Sequence, residues 1–161
     1  IGELNIWENA IIERLHEPSF SKGGFVRKKP ARAFANDLIK KFDVRGATSE
    51  TQARLLSGGN MQKLVLGRAL SVSPKLIVAN QPTRGLDEGA IAAVHKELLK
   101  ARSEGVAILL ISEELEEAVG LADRLQAIVK GKLSEPITAE NADATRLGLM
   151  MAGVWDTIDE T

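Results

Sequence analysis

The chain has 161 residues, 44% of them hydrophobic and 27% charged, a composition typical of a globular domain with a sizeable core. Its longest purely apolar run, residues 106–111, is much shorter than the roughly 20 residues of a membrane-spanning helix, and no basic-then-apolar leader opens the sequence. We therefore expect neither a membrane span nor a secretory signal. The absence of cysteine excludes disulfides and thiolate chemistry, and four Phe and two Trp leave little for stacking on nucleic-acid bases, so we expect no nucleic-acid partner.

The net charge of −1 conceals an uneven distribution along the chain. Residues 1–80 carry 13 basic and 7 acidic side chains, whereas residues 81–161 carry 8 and 15. The densest basic stretch runs from Arg27 to Arg32. Such a stretch is typical of a solvated loop and helix start, and the alternative is a surface that meets anionic lipid or a partner.

Apolar periodicity predicts that the first 73 residues are all-helical. A first helix has Ile6, Ala10 and Ile11 on one face and ends before Pro18. Residues 19–29 then read as a loop, and a second helix is predicted over residues 31–42. A third helix follows the Ser57-Gly58-Gly59 sequence and ends at Ser73-Pro74; the residues predicted to form its buried side are Met61, Val65, Ala69 and Val72.

The pattern then changes to continuous apolar runs of strand length at residues 76–79 and 106–111, which are typical of parallel strands covered on both faces. An amphipathic helix is predicted between them, over residues 89–103. Further helices are predicted at residues 114–121 and 143–151, and a hairpin joins residues 125–129 to residues 132–134. The sequence thus predicts two domains, a helical one at residues 1–73 and an α/β one at residues 74–161 that ends in a hairpin and a helix.

Three polar segments stand out by their order: LSGGNMQK at residues 56–63, LIVANQPTRGLD at residues 76–87 and LLISEELEE at residues 109–117. The first is explained either as a helix N-cap or as a glycine-rich helix start that approaches a phosphate. The other two place polar residues at the carboxyl ends of buried strands, where open α/β sheets bind their ligands. Loop capping is the alternative for both, and the shared position of the two strand ends makes a site the better explanation.

This triplet resembles the signature, Walker B with D-loop, and switch segments of the ABC transporter ATPases. PSFSKGGF at residues 18–25, KKFDVR at residues 40–45 and GLMMAG at residues 148–153 are similar to the second ATPase half of the tandem importers for simple sugars and nucleosides, and specifically to the nucleoside-type branch. The resemblance implies a partial P-loop NTPase core of parallel strands flanked by helices, together with an all-helical subdomain that bears the signature. It also implies that Ser57, Gly58, Gly59 and Asn60, with the D-loop Asp87, contact a nucleotide held by a partner ATPase half.

The sequence departs from the family pattern at the catalytic positions. No GxxxxGK[ST] phosphate loop is present, and with Ile1 as first residue this leads us to expect a piece of a longer protein whose missing part carries the loop. Asn80 stands where an Asp would help to bind Mg²⁺, Gln81 where a Glu would activate water, and Glu113 where a His would contact the γ-phosphate. We therefore expect no catalytic residue, metal ligand or bound nucleotide in this chain alone, and ATP with Mg²⁺ only in the full-length assembly.

The resemblance implies an ATP-hydrolysing subunit that lies peripherally at the cytoplasmic face of the inner membrane. Its partners would be the other ATPase half, membrane permease subunits and, indirectly, an extracytoplasmic substrate-binding protein. Two alternatives stay open at this point: a non-transport ABC protein that acts on ribosomes or DNA, and a regulatory interaction module with a decayed ATPase core.

Overall fold

The computed structural model describes residues 1–154, so Trp155, which the sequence predicts to be a packing anchor, lies outside the described residues. The chain divides into two compact units. The first unit comprises residues 1–77 and 82–109, and the second comprises residues 78–81 and 110–161. The predicted division at residue 73 stays a prediction.

The first unit begins with helix α1 (Ile6–Ile11), which continues as a 3₁₀ turn, Ile12–Arg14. Strands β1 (Ser21–Lys22) and β2 (Phe25–Val26) then form a small antiparallel hairpin. Gly23 and Gly24, with φ of 58° and 81°, supply the left-handed two-residue turn that matches the twist of paired strands. The predictions of a loop over residues 19–29 and of an all-helical first 73 residues are therefore wrong at this hairpin.

Helix α2 (Lys28–Lys41) starts three residues before its predicted start and packs on α1. A 3₁₀ turn, Ala53–Leu55, leads to helix α3 (Gly58–Leu70). Together they enclose one apolar core, in which the predicted packing anchor Trp7 is buried. Its fully or nearly fully buried members are Ile6, Trp7, Ala10, Ile11, Phe20, Ala31, Ala35, Leu38, Phe42, Val44 and Leu64.

Helix α3 buries a different face from the one that its apolar residues predict. Leu64 and Gly67 are buried, whereas Val65 is 43% exposed. Val72, which is predicted to share the buried side, is 56% exposed and lies beyond the end of the helix at Leu70. The physical reason is Gly67, where an added Cβ would lie 2.6 Å from the ring of Phe42. Because Gly67 has no side chain, the ring of Phe42 at the end of α2 packs directly against the helix. Hydrophobicity patterns do not mark a glycine as buried, so they predict a different face.

Strand β3 (Leu76–Asn80), helix α4 (Glu88–Ser103) and strand β4 (Ala107–Ile111) confirm the predicted strand, helix, strand order. The strands are paired side by side, and hydrogen bonds at both ends, Ala107 N to Lys75 O and Gln81 N to Ile111 O, show that they run parallel. Their residues alternate in exposure, and Val78 and Leu109 are 60% and 52% exposed. Within the described residues the sheet is thus covered on one face, and the expectation of cover on both faces is wrong here.

The second unit contains helix α5 (Leu115–Leu121) and four short strands, β5 (Arg124–Leu125), β6 (Ile128–Val129), β7 (Lys132–Leu133) and β8 (Ile137–Thr138). β6 and β7 form the predicted hairpin around Gly131, and β5 pairs with β8 beyond it, a pairing that the sequence does not predict. A 3₁₀ turn, Ala139–Asn141, precedes helix α6 (Ala144–Met151), which docks through Leu147 and Met150. No helix among residues 1–154 is long and apolar enough to cross a membrane.

Candidate functional site

The Ser57-Gly58-Gly59 segment opens helix α3. Ser57 has extended backbone angles, φ −63° and ψ 158°, and its exposed side chain accepts a hydrogen bond from Asn60 N at 3.4 Å. This is the N-cap geometry that a serine before a helix predicts. Because the first amides of a helix lack acceptors within the helix, the Gly58 and Gly59 N–H groups point to the helix end, where the helix dipole is positive.

A second helix begins beside the first. Asp87 is the N-cap of α4, and its Oδ1 accepts a hydrogen bond from Ala90 N at 2.9 Å. The backbone of Gly85, with φ of 74°, makes the turn that leads into this cap. α3 and α4 have 13 and 16 residues, long enough for each to present about half a positive charge at its N-terminus.

The glycines of α3 set how closely these two helix starts approach. A Cβ added to Gly59 would lie 2.6 Å from the Cβ of Ala90, so only glycine fits without a shift of the backbone. A Cβ added to Gly58 would lie 3.4 Å from Cδ2 of Leu86, which is ordinary contact. Gly59 therefore brings the N-termini of α3 and α4 together, a packing role that exists beside any approach to an anion. Sequence patterns do not identify Ala90 and Leu86 as partners, although a small residue in the first turn of α4 is the type that close helix packing requires.

The Asn60 side chain forms hydrogen bonds with the protein backbone. Its Oδ1 accepts from Arg45 N at 3.0 Å, and its Nδ2 donates to Arg45 O at 3.2 Å, so the amide pairs with both polar groups of one residue. Lys63, one turn later, donates to Asp43 O at 3.0 Å and forms an ion pair with the Asp43 carboxylate at 3.3 Å. These contacts fix the segment that follows α2 onto the start of α3. No sequence signal indicates this pairing.

The Asp43 carboxylate also pairs with Arg45, at 2.9 Å between Oδ2 and Nε. The hydrogen bond from Lys63, followed by that from Arg45 and the positive charges of both, lowers the pKa of Asp43 below its usual value. Asp43 itself has a left-handed backbone with φ of 51°, which its short polar side chain tolerates.

The second candidate region lies at the carboxyl ends of β3 and β4. Gln81 N donates to Ile111 O at 2.8 Å, which holds the two strand ends side by side. Asn80 and Glu113 are exposed, and Gln81 has a left-handed backbone with φ of 50°, an arrangement that costs about 1 kcal/mol for a residue with a Cβ. Strained backbone of this kind is typical of functional strand ends.

The side chains at these strand ends are weak candidates for metal binding and proton transfer. Asn80 and Gln81 offer neutral amides, which attract Mg²⁺ far less than carboxylates and take up no proton. Glu113 adds a negative charge, and Ser112 beside it accepts a hydrogen bond from Glu114 N at 3.0 Å in a local turn before α5. Among residues 1–154, no three His, Cys, Asp or Glu side chains lie close enough together to hold a metal ion.

A surface cavity of about 430 Å³ lies in the first unit at the C-terminal ends of α2, α3 and α4. Its charged lining comprises Lys41, Lys75, Lys100, Glu97 and Glu104. α3 is 13 residues long, so the cavity lies about 20 Å along this helix from Ser57. It is thus separate from the predicted nucleotide-contacting residues.

Comparison with solved structures shows which fold these elements form. An inward-facing putative metal-chelate type ABC transporter matches with a TM-score of 0.74 and 18% identity over 94% of this chain and 59% of that chain. An ATP-binding cassette of an ABC transporter matches with a TM-score of 0.72 and 21% identity over 96% of this chain and 63% of that chain. Both matches show the fold alone, which is that of the ABC cassette.

Curated relatives are more similar in sequence. A glucose import ATP-binding protein of Haloferax volcanii is 42% identical over 96% of this chain, and a guanosine import ATP-binding protein of Bacillus subtilis is 42% identical over 94%. A nucleoside import ATP-binding protein of Lactococcus lactis is 40% identical over 94%. The chain belongs to the ABC ATPases. It spans 28–30% of the length of these three relatives, and no family model matches it.

The family resemblance of the three motifs is thereby confirmed, as is the α/β fold class of the ABC ATPases with parallel strands flanked by helices. The comparisons concern the family and the fold, and the roles of individual residues stay predictions. Ser57, Gly58, Gly59 and Asp87 lie together at two helix starts, and the Asn60 side chain faces the Arg45 backbone. Asn80, Gln81 and Glu113 lie at the strand ends described above.

Proposed function

We propose that this chain supplies the signature side of an ATP site that is completed by another ATPase half, within an ABC importer for nucleosides or simple sugars. The observation that carries the proposal is the meeting of two helix N-termini at Ser57 and Asp87, held together by the Gly59 contact with Ala90. The start of α3 has no acidic residue in its first turn, and its first amides lie at a positive helix end, which suits a phosphate that a partner presents. The start of α4 carries Asp87 and Glu88, so its part is to support the α3 end by packing.

Ser57 and Asp87 have distinct tasks in this proposal. The Ser57 hydroxyl and the Gly58 and Gly59 amides donate hydrogen bonds to the γ-phosphate of an ATP bound by the partner half. Asp87 caps α4 and thereby fixes its N-terminus beside the phosphate. Asn60 acts indirectly, because its side chain bonds to the Arg45 backbone and so positions the start of α3.

The strand ends of this chain are proposed to contribute little to hydrolysis. Gln81 lacks a basic oxygen that takes the proton of an attacking water, and Asn80 lacks the charge that holds Mg²⁺. Glu113 repels a phosphate at the position of the family's histidine. ATP with Mg²⁺ is therefore hydrolysed at the composite site to which Ser57 belongs.

The remaining partners follow from the same proposal. Residues 1–54 contact a membrane permease, an extracytoplasmic binding protein delivers the substrate, and the subunit lies peripherally at the cytoplasmic face of the membrane. The relatives are named as import ATP-binding proteins for glucose, nucleosides and guanosine, which favours an importer over a ribosome-associated, DNA-associated or regulatory protein. ATP binding closes the two ATPase halves on each other, and this closure drives the permease by shifting its conformational equilibrium.

ATP hydrolysis by the full-length protein tests these roles. Ser57→Arg abolishes turnover, because a large cation blocks the helix start. Ser57→Asp is the sharper variant, since aspartate keeps the N-cap acceptor but places a negative charge beside phosphate, and we expect at least a hundredfold loss of kcat with normal thermal stability. The double reversion of Asn80→Asp with Gln81→Glu should change kcat less than threefold.

Ser103→Asp is the matched control, because Ser103 is exposed at the opposite end of α4. It should hydrolyse ATP at the parent rate. A Ser57→Asp protein with normal turnover, or a strong gain from the double reversion, contradicts the division of roles. Co-purification of the full-length protein with a permease separates the importer from its alternatives.

A further inference from the structure

A basic surface in the first unit is formed by residues outside the proposed ATP site. It consists of the β1–β2 hairpin and the start of α2, residues 21–29, and we call it the hairpin surface. Between Glu17 and Asp37 the sequence has no acidic residue and five basic ones. The four on the hairpin surface, Lys22, Arg27, Lys28 and Lys29, are exposed, and none of them takes part in an ion pair among the described residues.

The tip of this surface is apolar. Phe25 is 81% exposed and Val26 is 40% exposed, directly beside the cations. Apolar surface is stabilised when it leaves water, so the open Phe25 ring gains when a partner covers it. The two features together, an exposed ring and a cluster of unneutralised cations, match the interfacial layer of an anionic bilayer, where a ring enters the headgroup region and cations meet phosphate.

The hairpin is held rigidly in position. Phe20, at its base, is buried, and its ring packs on Phe34 at 5.3 Å between centroids. The Arg14 guanidinium lies over both rings, 4.9 Å and 4.6 Å from their centroids. Arg27 closes the base of the hairpin, since its backbone N–H donates to Phe20 O at 2.8 Å and its side chain to Pro18 O at 3.1 Å. These contacts position the base of the hairpin before binding, which lowers the ordering cost of the backbone on binding.

The charges on this surface work against the stability of α2. Lys28 and Lys29 occupy the first turn of the helix, where the helix dipole is positive, and that turn holds no acidic residue. Arg27, at the N-cap, makes no side-chain capping bond. A helix start optimised for folding carries Asp, Ser or Thr at the cap and acidic residues next to it. Residues that work against local stability in this way are typical of a functional surface.

We propose that the hairpin surface binds anionic lipid headgroups, with Phe25 in the interfacial layer and Lys22, Arg27, Lys28 and Lys29 against the phosphates. This contact orients the ATPase subunit on the membrane in addition to any contact with a permease. Lipid binding of this kind is independent of ATP hydrolysis, so Ser57→Asp leaves it unchanged.

Co-sedimentation of the full-length protein with vesicles tests the proposal, with pure phosphatidylcholine compared with an equal mixture of phosphatidylcholine and phosphatidylglycerol. We expect binding to the anionic vesicles only, and weaker binding at high salt. Each lysine removed from the contact should weaken binding about fivefold, so the Lys22→Gln, Lys28→Gln, Lys29→Gln triple variant binds about a hundredfold more weakly. Phe25→Ser weakens it about fivefold and makes it more sensitive to salt.

The control triple variant, Lys75→Gln, Lys96→Gln, Lys100→Gln, removes the same charge from exposed positions outside the hairpin surface. It should bind within threefold of the parent. The unfolding midpoint of the hairpin triple variant should equal or exceed that of the parent, because its substitutions relieve repulsion at the start of α2. A fall in the midpoint of Phe25→Ser is not expected, since its side chain is exposed.

Three results overturn the proposal: equal binding to both vesicle types, full binding by the hairpin triple variant, or an equal loss in the control variant. If the hairpin triple variant binds vesicles normally but no longer co-purifies with permease subunits, the surface is a protein interface and the lipid proposal is wrong.

Discussion

The two motif regions of this chain differ in how their polar residues are used. At the starts of α3 and α4, Ser57 and Asp87 each cap a helix, and Gly59 allows the helices to touch. At the ends of β3 and β4, Asn80 and Glu113 are exposed, and Gln81 has a strained backbone. Each polar or glycine residue of the first region has a structural role in this fold, whereas the second region has geometry suited to a site but side chains unsuited to the chemistry. An intact motif is therefore weaker evidence of function where its residues also hold the fold.

The largest effect is expected at the contact between the two helix starts. Gly59→Ala forces two Cβ atoms to within 2.6 Å, and we expect a loss of about 2 kcal/mol in the free energy of unfolding, measured by chemical denaturation. Gly58→Ala is the matched control, because its Cβ meets Leu86 at 3.4 Å and should change stability by less than about 0.5 kcal/mol. Adding Ala90→Gly to Gly59→Ala should recover part of the loss. Equal effects of the two alanine substitutions contradict the packing role of Gly59.

The next effect tests whether Asn60 stabilises the signature helix through Arg45. Asn60→Ala removes two hydrogen bonds, and we expect about 1.5 kcal/mol of destabilisation. Faster hydrogen exchange at the Arg45 amide should accompany it. Gln62→Ala is a nearby control on the same helix. If the Arg45 amide exchanges at the parent rate in Asn60→Ala, the pairing does not hold this segment.

The capping role of Asp87 predicts a smaller change. Asp87→Ala should cost about 1 kcal/mol of unfolding free energy, whereas Asp87→Ser keeps an acceptor for Ala90 N and should cost less than half of that. In the full-length protein, the stability and the ATP hydrolysis of Asp87→Ser together separate the capping role of Asp87 from a role in the reaction. If Asp87→Ser is stable but inactive in ATP hydrolysis, the carboxylate has a role beyond the cap.

At the strand ends the expected change has the opposite sign. Gln81→Gly relieves the left-handed backbone strain and should stabilise the chain by about 0.5 kcal/mol, the net of relieved strain and greater freedom in the unfolded chain. A control such as Gln126→Gly, which loses a hydrogen bond to Ser134 O, should destabilise it. Destabilisation by Gln81→Gly would show that its side chain makes an essential contact.

The smallest effect concerns the Asp43 ion pairs, which belong to the signature region alone. The pKa of Asp43 is lowered mainly by its hydrogen bond with Lys63, so its carboxylate stabilises the fold above its ordinary pKa and this contribution disappears as the pH falls through the lowered value. Nuclear magnetic resonance titration of the Asp43 carboxyl in the parent and in Lys63→Met measures the shift. The variant should titrate closer to the ordinary value, and an unchanged titration contradicts the assignment.

Sequence patterns predicted the parts of the fold that obey one repeat over many residues. The run of β4 and the amphipathic pattern of α4 each extend over enough residues to define a period, and both elements lie within one residue of their predicted bounds. The β1–β2 hairpin was missed because its strands have two residues each, although Gly23-Gly24 is itself a hairpin signal. The buried face of α3 was wrong because Gly67 contributes a space for Phe42 rather than a side chain.

The candidate site was likewise predictable only where neighbouring residues in the sequence carry the signal. The positions of Ser57 and Asp87 before helices are readable as caps, since the residue type and the following pattern agree. The contacts between Gly59 and Ala90 and between Asn60 and Arg45 are not readable, because they depend on how separate elements pack and on which way an amide side chain turns. The left-handed backbone of Gln81 is likewise imposed by tertiary structure.

The most direct test of the central claim is photocleavage of the full-length protein with trapped vanadate, which occupies the γ-phosphate position beside Mg·ADP. Near-ultraviolet light lets bound vanadate oxidise a serine that contacts it and cut the chain there. We predict cleavage at Ser57 that requires Mg·ADP and is lost in Ser57→Ala. Trapped vanadate that leaves Ser57 uncut, or that cuts the chain beside Glu113 instead, contradicts the account.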